Sequence, residues 1–202
     1  MNSNNSPIIL LGPTSLRSIS LHPKNAPIVF IDGGLLHKDQ LELCDHPLLF
    51  SIGDGDSSKA TLDHHFPEDK DVSDFALALD RFKDEESLHF HCYGLYGERL
   101  DHQLANLGEA CKVVASNHHR FTFYDETGQR RAAIATGENE FQAHALVSVF
   151  SLTLASLKLT GEIKYQGEFT LSPLSSLGLS NKAYGTFSLS SDQPLIITFS
   201  DE

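Results

Sequence analysis

Along the first two thirds of the chain, short apolar runs alternate with glycine-rich or acidic turns. Residues 8–11 (IILL) end at Gly12-Pro13, and residues 26–31 (APIVFI) end at Asp32-Gly33-Gly34. Residues 48–52 (LLFSI) end at Gly53-Asp54-Gly55-Asp56-Ser57. Brief β-branched or aromatic runs closed by such turns read as buried strands. Residues 60–66 and 88–93 read the same way, whereas residues 35–43 suit a short helix. Residues 73–82 place Phe75, Leu79 and Phe82 on one helical face, with Ser73 or Asp74 at the N-cap. A further helix is expected over 103–115. Strands alternating with helices at this spacing predict a mostly parallel sheet.

The pattern changes past Arg120. Residues 121–124 and 131–135 flank the turn residues 125–128, as in a hairpin. From Ala145 onward the chain is rich in Ser, Thr, Leu and Gly, with alternating runs at 148–154, 185–189 and 195–199 and no helical period. That pattern belongs to antiparallel β structure. The expected fold class is therefore α/β: an N-terminal, mostly parallel sheet domain (1–138) followed by a C-terminal antiparallel β-sandwich domain (139–202).

Composition narrows the function. The 202 residues carry a formal net charge of −12. A chain this acidic lacks the clustered Lys and Arg that displace counterions from a nucleic-acid backbone, and it is equally unsuited to an anionic membrane. Nucleotides remain open, because magnesium can bridge a polyphosphate to carboxylates. No stretch reaches the roughly 18 apolar residues of a spanning helix, and the N-terminus lacks a basic leader. Cys44, Cys92 and Cys111 show no C-x-x-C spacing and read as reduced thiols of a cytoplasmic protein.

The candidate chemistry is carboxylate-based. Asp54 and Asp56 sit two apart on a glycine-flanked turn, and Asp71 and Asp74 lie at a helix start. Carboxylates at the carboxyl ends of successive strands can hold one hydrated divalent cation over a ligand. Each pair alone is ordinarily a solvated loop or a helix cap. Their combination at successive strand ends favours a cation site. Gly33 and Gly34 permit close backbone approach to a ligand. Arg99 offers a planar fork for phosphate oxygens, with Asp101 as a polar orienting group or proton acceptor. Asp63-His64-His65 resembles one motif of manganese phosphoesterases, but adjacent histidines in a strand point to opposite faces.

Taken together, these stretches resemble the thiamine pyrophosphokinase family. Its ordered motifs match Asp32-Gly33-Gly34, the Gly53–Ser57 turn, Lys70-Asp71-Val72-Ser73-Asp74 and the 97–106 stretch GERLDHQLAN. Thr160 to Tyr165 and the pair Ser180-Asn181 match later motifs. Departures are Gly55 for a Phe, Ser73 for a Thr, Ala76 for a Glu, Glu98 for a Gly, and the lack of any Trp. The resemblance implies magnesium-dependent transfer of pyrophosphate from ATP to thiamine. Asp54, Asp56 and Asp71 would hold magnesium and, with Arg99 and Asp101, would carry the reaction. Asp32, Gly33, Gly34, Ser57, Lys70, Asp74, His102 and Asn106 would bind ATP. It also implies a homodimer whose thiamine pocket lies between subunits, with Tyr165, Ser180 and Asn181 binding the acceptor. A pyrophosphokinase for a pterin-like heterocycle and a catalytically silent thiamine- or nucleotide-binding protein are the alternatives.

Overall fold

The structure, a computed structural model, describes residues 6–17, 20–38, 46–56, 61–85, 87–97 and 99–201. Cys44, Ser57 and Glu98 lie outside them, as does the second half of the helix expected over 35–43.

Among the described residues one continuous ten-stranded sheet organises the chain, in the order β4-β3-β2-β1-β5-β6-β7-β10-β8-β9. Strands β1 (Ser6–Leu11), β2 (Ile28–Ile31), β3 (Leu48–Gly53), β4 (His64–His65), β5 (Leu88–Tyr93) and β6 (Arg120–Tyr124) pair in parallel. Helix α1 (Asp74–Asp80) precedes β5, and α2 (Leu100–Asn117) joins β5 to β6. Of the strand expected over 60–66, residue 60 lies outside the described residues, and within 61–66 only the two residues of β4 are strand. From Asp32 the chain forms a short 3-10 segment, Asp32–His37.

Burial explains the layers. Both helices turn apolar stripes onto the same sheet face: Phe75, Ala78 and Leu79 from α1, and Leu107, Ala110 and Val114 from α2, pack on Leu10, Val29, Ile52, Phe90 and Phe121. Ser73 caps α1, its Oγ accepting from the Ala76 N–H at 3.2 Å. The opposite face is covered over Ile9, Leu11, Ile28 and Phe30 by the segment carrying Leu16 and Leu21. Cys92 and Cys111 are buried and free.

The second half is built from β7 (Arg130–Ser151), β8 (Ala155–Ile163), β9 (Gly167–Leu171) and β10 (Asn181–Ser200), all antiparallel. The short runs expected at 148–154, 185–189 and 195–199 fall largely within two long strands. β10 pairs with β7 twice: residues 181–191 run against 147–137, and residues 195–200 then lie between the two ends of β7. Val147 consequently pairs with both Asn181 and Phe199, which curls the sheet around a second core containing Phe141, Val149, Leu157, Phe187 and Leu195. Residue 138, the expected domain limit, lies inside β7.

Gly34 shows why glycine follows β2. A Cβ there would stand 2.0 Å from the backbone oxygen of Leu11. Close approach to β1, rather than to a ligand, is what demands glycine at this position. Gly34→Ala is expected to lower stability by about 1–3 kcal/mol through forced backbone displacement. A urea unfolding midpoint unchanged from the parent would contradict that packing.

Candidate functional site

Strand order places the crevice. β1, β2, β3 and β4 step outward in one direction, and β5 then returns to the other flank of β1. The switch point between β1 and β5 is where open α/β sheets hold ligands, outside the carboxyl ends of their strands. A cavity of about 530 Å³ opens there. Pro13 and Thr14 line it beyond β1, Asp32 beyond β2, Asp54 and Asp56 beyond β3, and Gly94, Leu95 and Gly97 beyond β5.

Three carboxylates converge at its floor. Asp32, Asp54 and Asp56 each offer an oxygen, and these oxygens lie within 4.8 Å of one another. Asp32 adopts a left-handed backbone (φ 48°), a sparsely populated conformation that non-glycine residues hold mainly where surrounding structure enforces it. The Asp56 N–H donates to Asp54 Oδ1 at 3.2 Å, fixing the acidic turn. An all-oxygen set of this kind suits a hard cation such as magnesium, which keeps several of its waters.

Asp71 is not brought into this group. It is exposed and outside the cavity lining, whereas Lys70, Val72 and Ser73 on either side of it line the wall. With Lys70 turned inward, Asp71 is left facing solvent. The third carboxylate beside Asp54 and Asp56 is Asp32, whose D-G-G turn the motif resemblance assigned to ATP binding and not to the cation set. Glu68, Val72 and Leu95 also line the cavity without having been anticipated.

Lys70 ties the wall to the floor. Its Nζ lies 2.5 Å from Asp54 Oδ2 and 3.4 Å from Asp74 Oδ1. The Lys70 hydrogen bond holds the Asp54 carboxyl below the usual carboxylate range. Burial pushes the Asp74 carboxyl up, against the attraction of Lys70. Burial works against the Lys70 charge, yet its two carboxylates more than offset this and raise its pKa.

The start of α2 forms the opposite rim, with Arg99, His102 and Asn106 lining the cavity. Asn106 is buried, and its Nδ2 donates to the Leu95 carbonyl at 3.0 Å, locking the loop after β5. Arg99 Nη2 and Nε reach Asp101 at 2.5 and 3.2 Å. Asp101 itself is exposed, does not line the cavity, and is held at a pKa of about 2 chiefly by that Arg99 hydrogen bond. Gly33 and Gly34 are buried behind Asp32 rather than lining the cavity.

Tyr165, Ser180 and Asn181 also lie outside this chain's cavity lining. Asn181 is a buried clamp: it accepts from the Tyr165 N–H at 2.9 Å and donates to the Tyr165 carbonyl at 2.8 Å. Ser180 is exposed with φ 55°, and its N–H donates to Ser148 Oγ at 3.0 Å. Tyr165 is exposed, with Lys164 Nζ 4.8 Å above its ring. Asp63 serves structure, accepting from the backbone N–H and the hydroxyl of Ser51, each at 2.8 Å.

The fold and the cavity define a class: an open α/β sheet with a carboxylate-floored crevice at its switch point, continued into a curled antiparallel sheet. Solved structures of this architecture include thiamin pyrophosphokinases. A thiamin pyrophosphokinase family protein from Enterococcus faecalis aligns over 98% of this chain and 100% of its own, at 22% identity and a TM-score of 0.73. Thiamine pyrophosphokinase from Bacillus subtilis aligns over 97% and 100%, at 19% identity and a TM-score of 0.71. The enzyme from Candida albicans aligns over 98% and 90%, at 12% identity and 0.69. The chain thus has the thiamine pyrophosphokinase fold, which supports the family resemblance carried by its motifs. No family model matches the sequence, and no curated protein matches it.

Proposed function

We propose that this chain is a thiamine pyrophosphokinase, transferring the pyrophosphoryl group of ATP to the hydroxyl of thiamine to give thiamine diphosphate and AMP. The observation that carries the reading is the convergence of Asp32, Asp54 and Asp56 at the switch-point cavity of this fold. The three carboxylates would hold magnesium, which when bound neutralises triphosphate charge and polarises the phosphorus under attack.

The chain's own groups do the positioning. Arg99 at the rim presents a guanidinium to phosphate oxygens once it exchanges Asp101 for the ligand. Lys70, held between Asp54 and Asp74, is a second cation facing the polyphosphate. His102 and the fixed loop after β5 complete the rim. In-line attack by the acceptor hydroxyl then depends mostly on alignment and electrostatic stabilisation.

Tyr165 and Ser180 cannot serve the cavity of their own chain from outside its lining. In this reading they face the cavity of a second copy in a homodimer. The exposed side chains of Leu174, Leu177, Leu179 and Tyr184 give the same half of the molecule an apolar surface suited to that contact. Among the described residues no helix is long and apolar enough to cross a membrane, and a cytoplasmic location fits a reaction that draws on ATP.

The test is incubation with ATP, magnesium and thiamine, with AMP and thiamine diphosphate separated by chromatography. Both products in equal amounts are expected. AMP formed only with a pterin-type hydroxymethyl acceptor would move the assignment to that substrate. Ligand binding without AMP at any magnesium concentration would make the chain a silent binding protein.

A further inference from the structure

A second group of titratable side chains lies apart from the cavity. On β5, Leu88, Phe90 and Cys92 face the helices, so His89 and His91 stand on the other face. On β6, Phe121 and Phe123 face the helices, which leaves Arg120, Thr122 and Tyr124 beside the histidines. His89 pairs in register with Arg120, at the amino-terminal ends of these strands. None of these residues lines the cavity, nor does Arg130, which pairs with Tyr124 at the far end of β6.

The cluster is basic and unbalanced. The imidazoles of His89 and His91 stand 4.1 Å apart. His89 Nε2 is hydrogen-bonded to Thr122 Oγ1 and His91 Nδ1 to Tyr124 Oη, each at 2.9 Å. Their second ring nitrogens bond no described residue. The Arg120 and Arg130 guanidinium carbons each lie 5.8 Å from the centre of the same Phe141 ring. Arg130 also stacks on Phe199 and donates to the Gln142 carbonyl at 2.7 Å. Among the described residues Arg120 has no hydrogen-bond acceptor for its guanidinium, and neither arginine has a carboxylate partner.

Half-burying two like charges without a counter-charge is costly, the more conspicuously in a chain of net charge −12. Burial and the nearness of Arg120 hold His91 neutral, and burial, His91 and Arg120 do the same for His89. An oxyanion would relieve the imbalance. A planar guanidinium fork and hydrogen bonds from several directions match tetrahedral phosphate oxygens better than a single planar carboxylate.

We propose that the face of β5 and β6 turned away from the helices binds a phosphate oxyanion, held by Arg120 with His89 and His91. This site is separate from the nucleotide cavity and does not depend on the transferase reading.

The full chain is titrated with inorganic phosphate at neutral pH and constant ionic strength, with chloride as the matched control. Imidazole NMR signals are read throughout, assigned with the His89→Gln and His91→Gln variants. Both signals are expected to shift saturably with phosphate and not with chloride. Arg120→Gln is expected to weaken that response about tenfold, the effect of losing one charge-assisted contact. Arg120→Lys, which keeps the charge and loses the fork, should fall between them and covers a folding failure of the first variant. The same response in Asp54→Asn separates this site from the cavity. No shift with phosphate, an equal shift with chloride, or an undiminished response in a folded Arg120→Gln overturns the proposal.

Discussion

Asp54→Asn is expected to lower AMP formation by on the order of a thousandfold, while the protein stays folded. Asp54 is one of the three converging carboxylates and the principal partner of Lys70. Asparagine keeps the size of the side chain but removes the charge that a divalent cation requires. Lys70 would retain Asp74 at 3.4 Å, so the cost to stability is limited to about 1–3 kcal/mol. Asp71→Asn, at an exposed position off the cavity lining, should cost far less activity. Circular-dichroism melting beside a coupled AMP assay reads both effects. Equal activity in Asp54→Asn and the parent would remove the cation set from the mechanism. A larger loss in Asp71→Asn would show that the segment around it closes over the ligand.

Acid sensitivity above the range where carboxylates titrate is the second large effect. Free histidine titrates near 6.5, but burial, with His91 and Arg120 nearby, holds His89 at about 3. His91 is held at about 4 by burial and by Arg120. Between pH 6.5 and these values the unfolded chain binds more protons than the folded one, so stability is present above pH 6.5 and is lost as pH falls. At about 1.4 kcal/mol per pKa unit, the loss by pH 5 is on the order of 2–4 kcal/mol. His119, nearly fully buried and also depressed by burial, adds in the same direction. Asp125, whose pKa of about 2 reflects hydrogen bonds from Thr127 and Arg131 that outweigh its burial, responds only in stronger acid. Urea midpoints at pH 7 and pH 5 should therefore diverge in the parent and draw together in a His89→Gln/His91→Gln variant. An unchanged gap in that variant would assign the acid response elsewhere.

The strands of the first half were legible because each is a short apolar run cut off by glycine or aspartate, a local signal that tertiary packing reinforces. The 60–66 run was misread: its apolar residues support only His64 and His65 as a two-residue strand. Asp63 spends its carboxylate on Ser51. The long strands β7 and β10 were read as several short ones, because their burial rhythm shifts where the ladder changes partner near residues 191–195. In the site, the turns carrying Asp32, Asp54, Asp56 and Lys70 stood out as polar residues directly after strands. Which carboxylates meet was not readable, since spacing does not show which side chains the turns after β2 and β3 direct into the crevice. The opposed directions of Lys70 and Asp71, and the capture of Asp101 by Arg99, likewise depend on side-chain placement that spacing does not encode.

The 22-residue strand β7 takes part in both halves of the molecule, paired with β6 at its start and with β10 along most of its length. A hinge between the halves would have to shear this ladder, breaking hydrogen bonds along it. A chain severed near residue 138 would therefore leave neither fragment with a complete sheet.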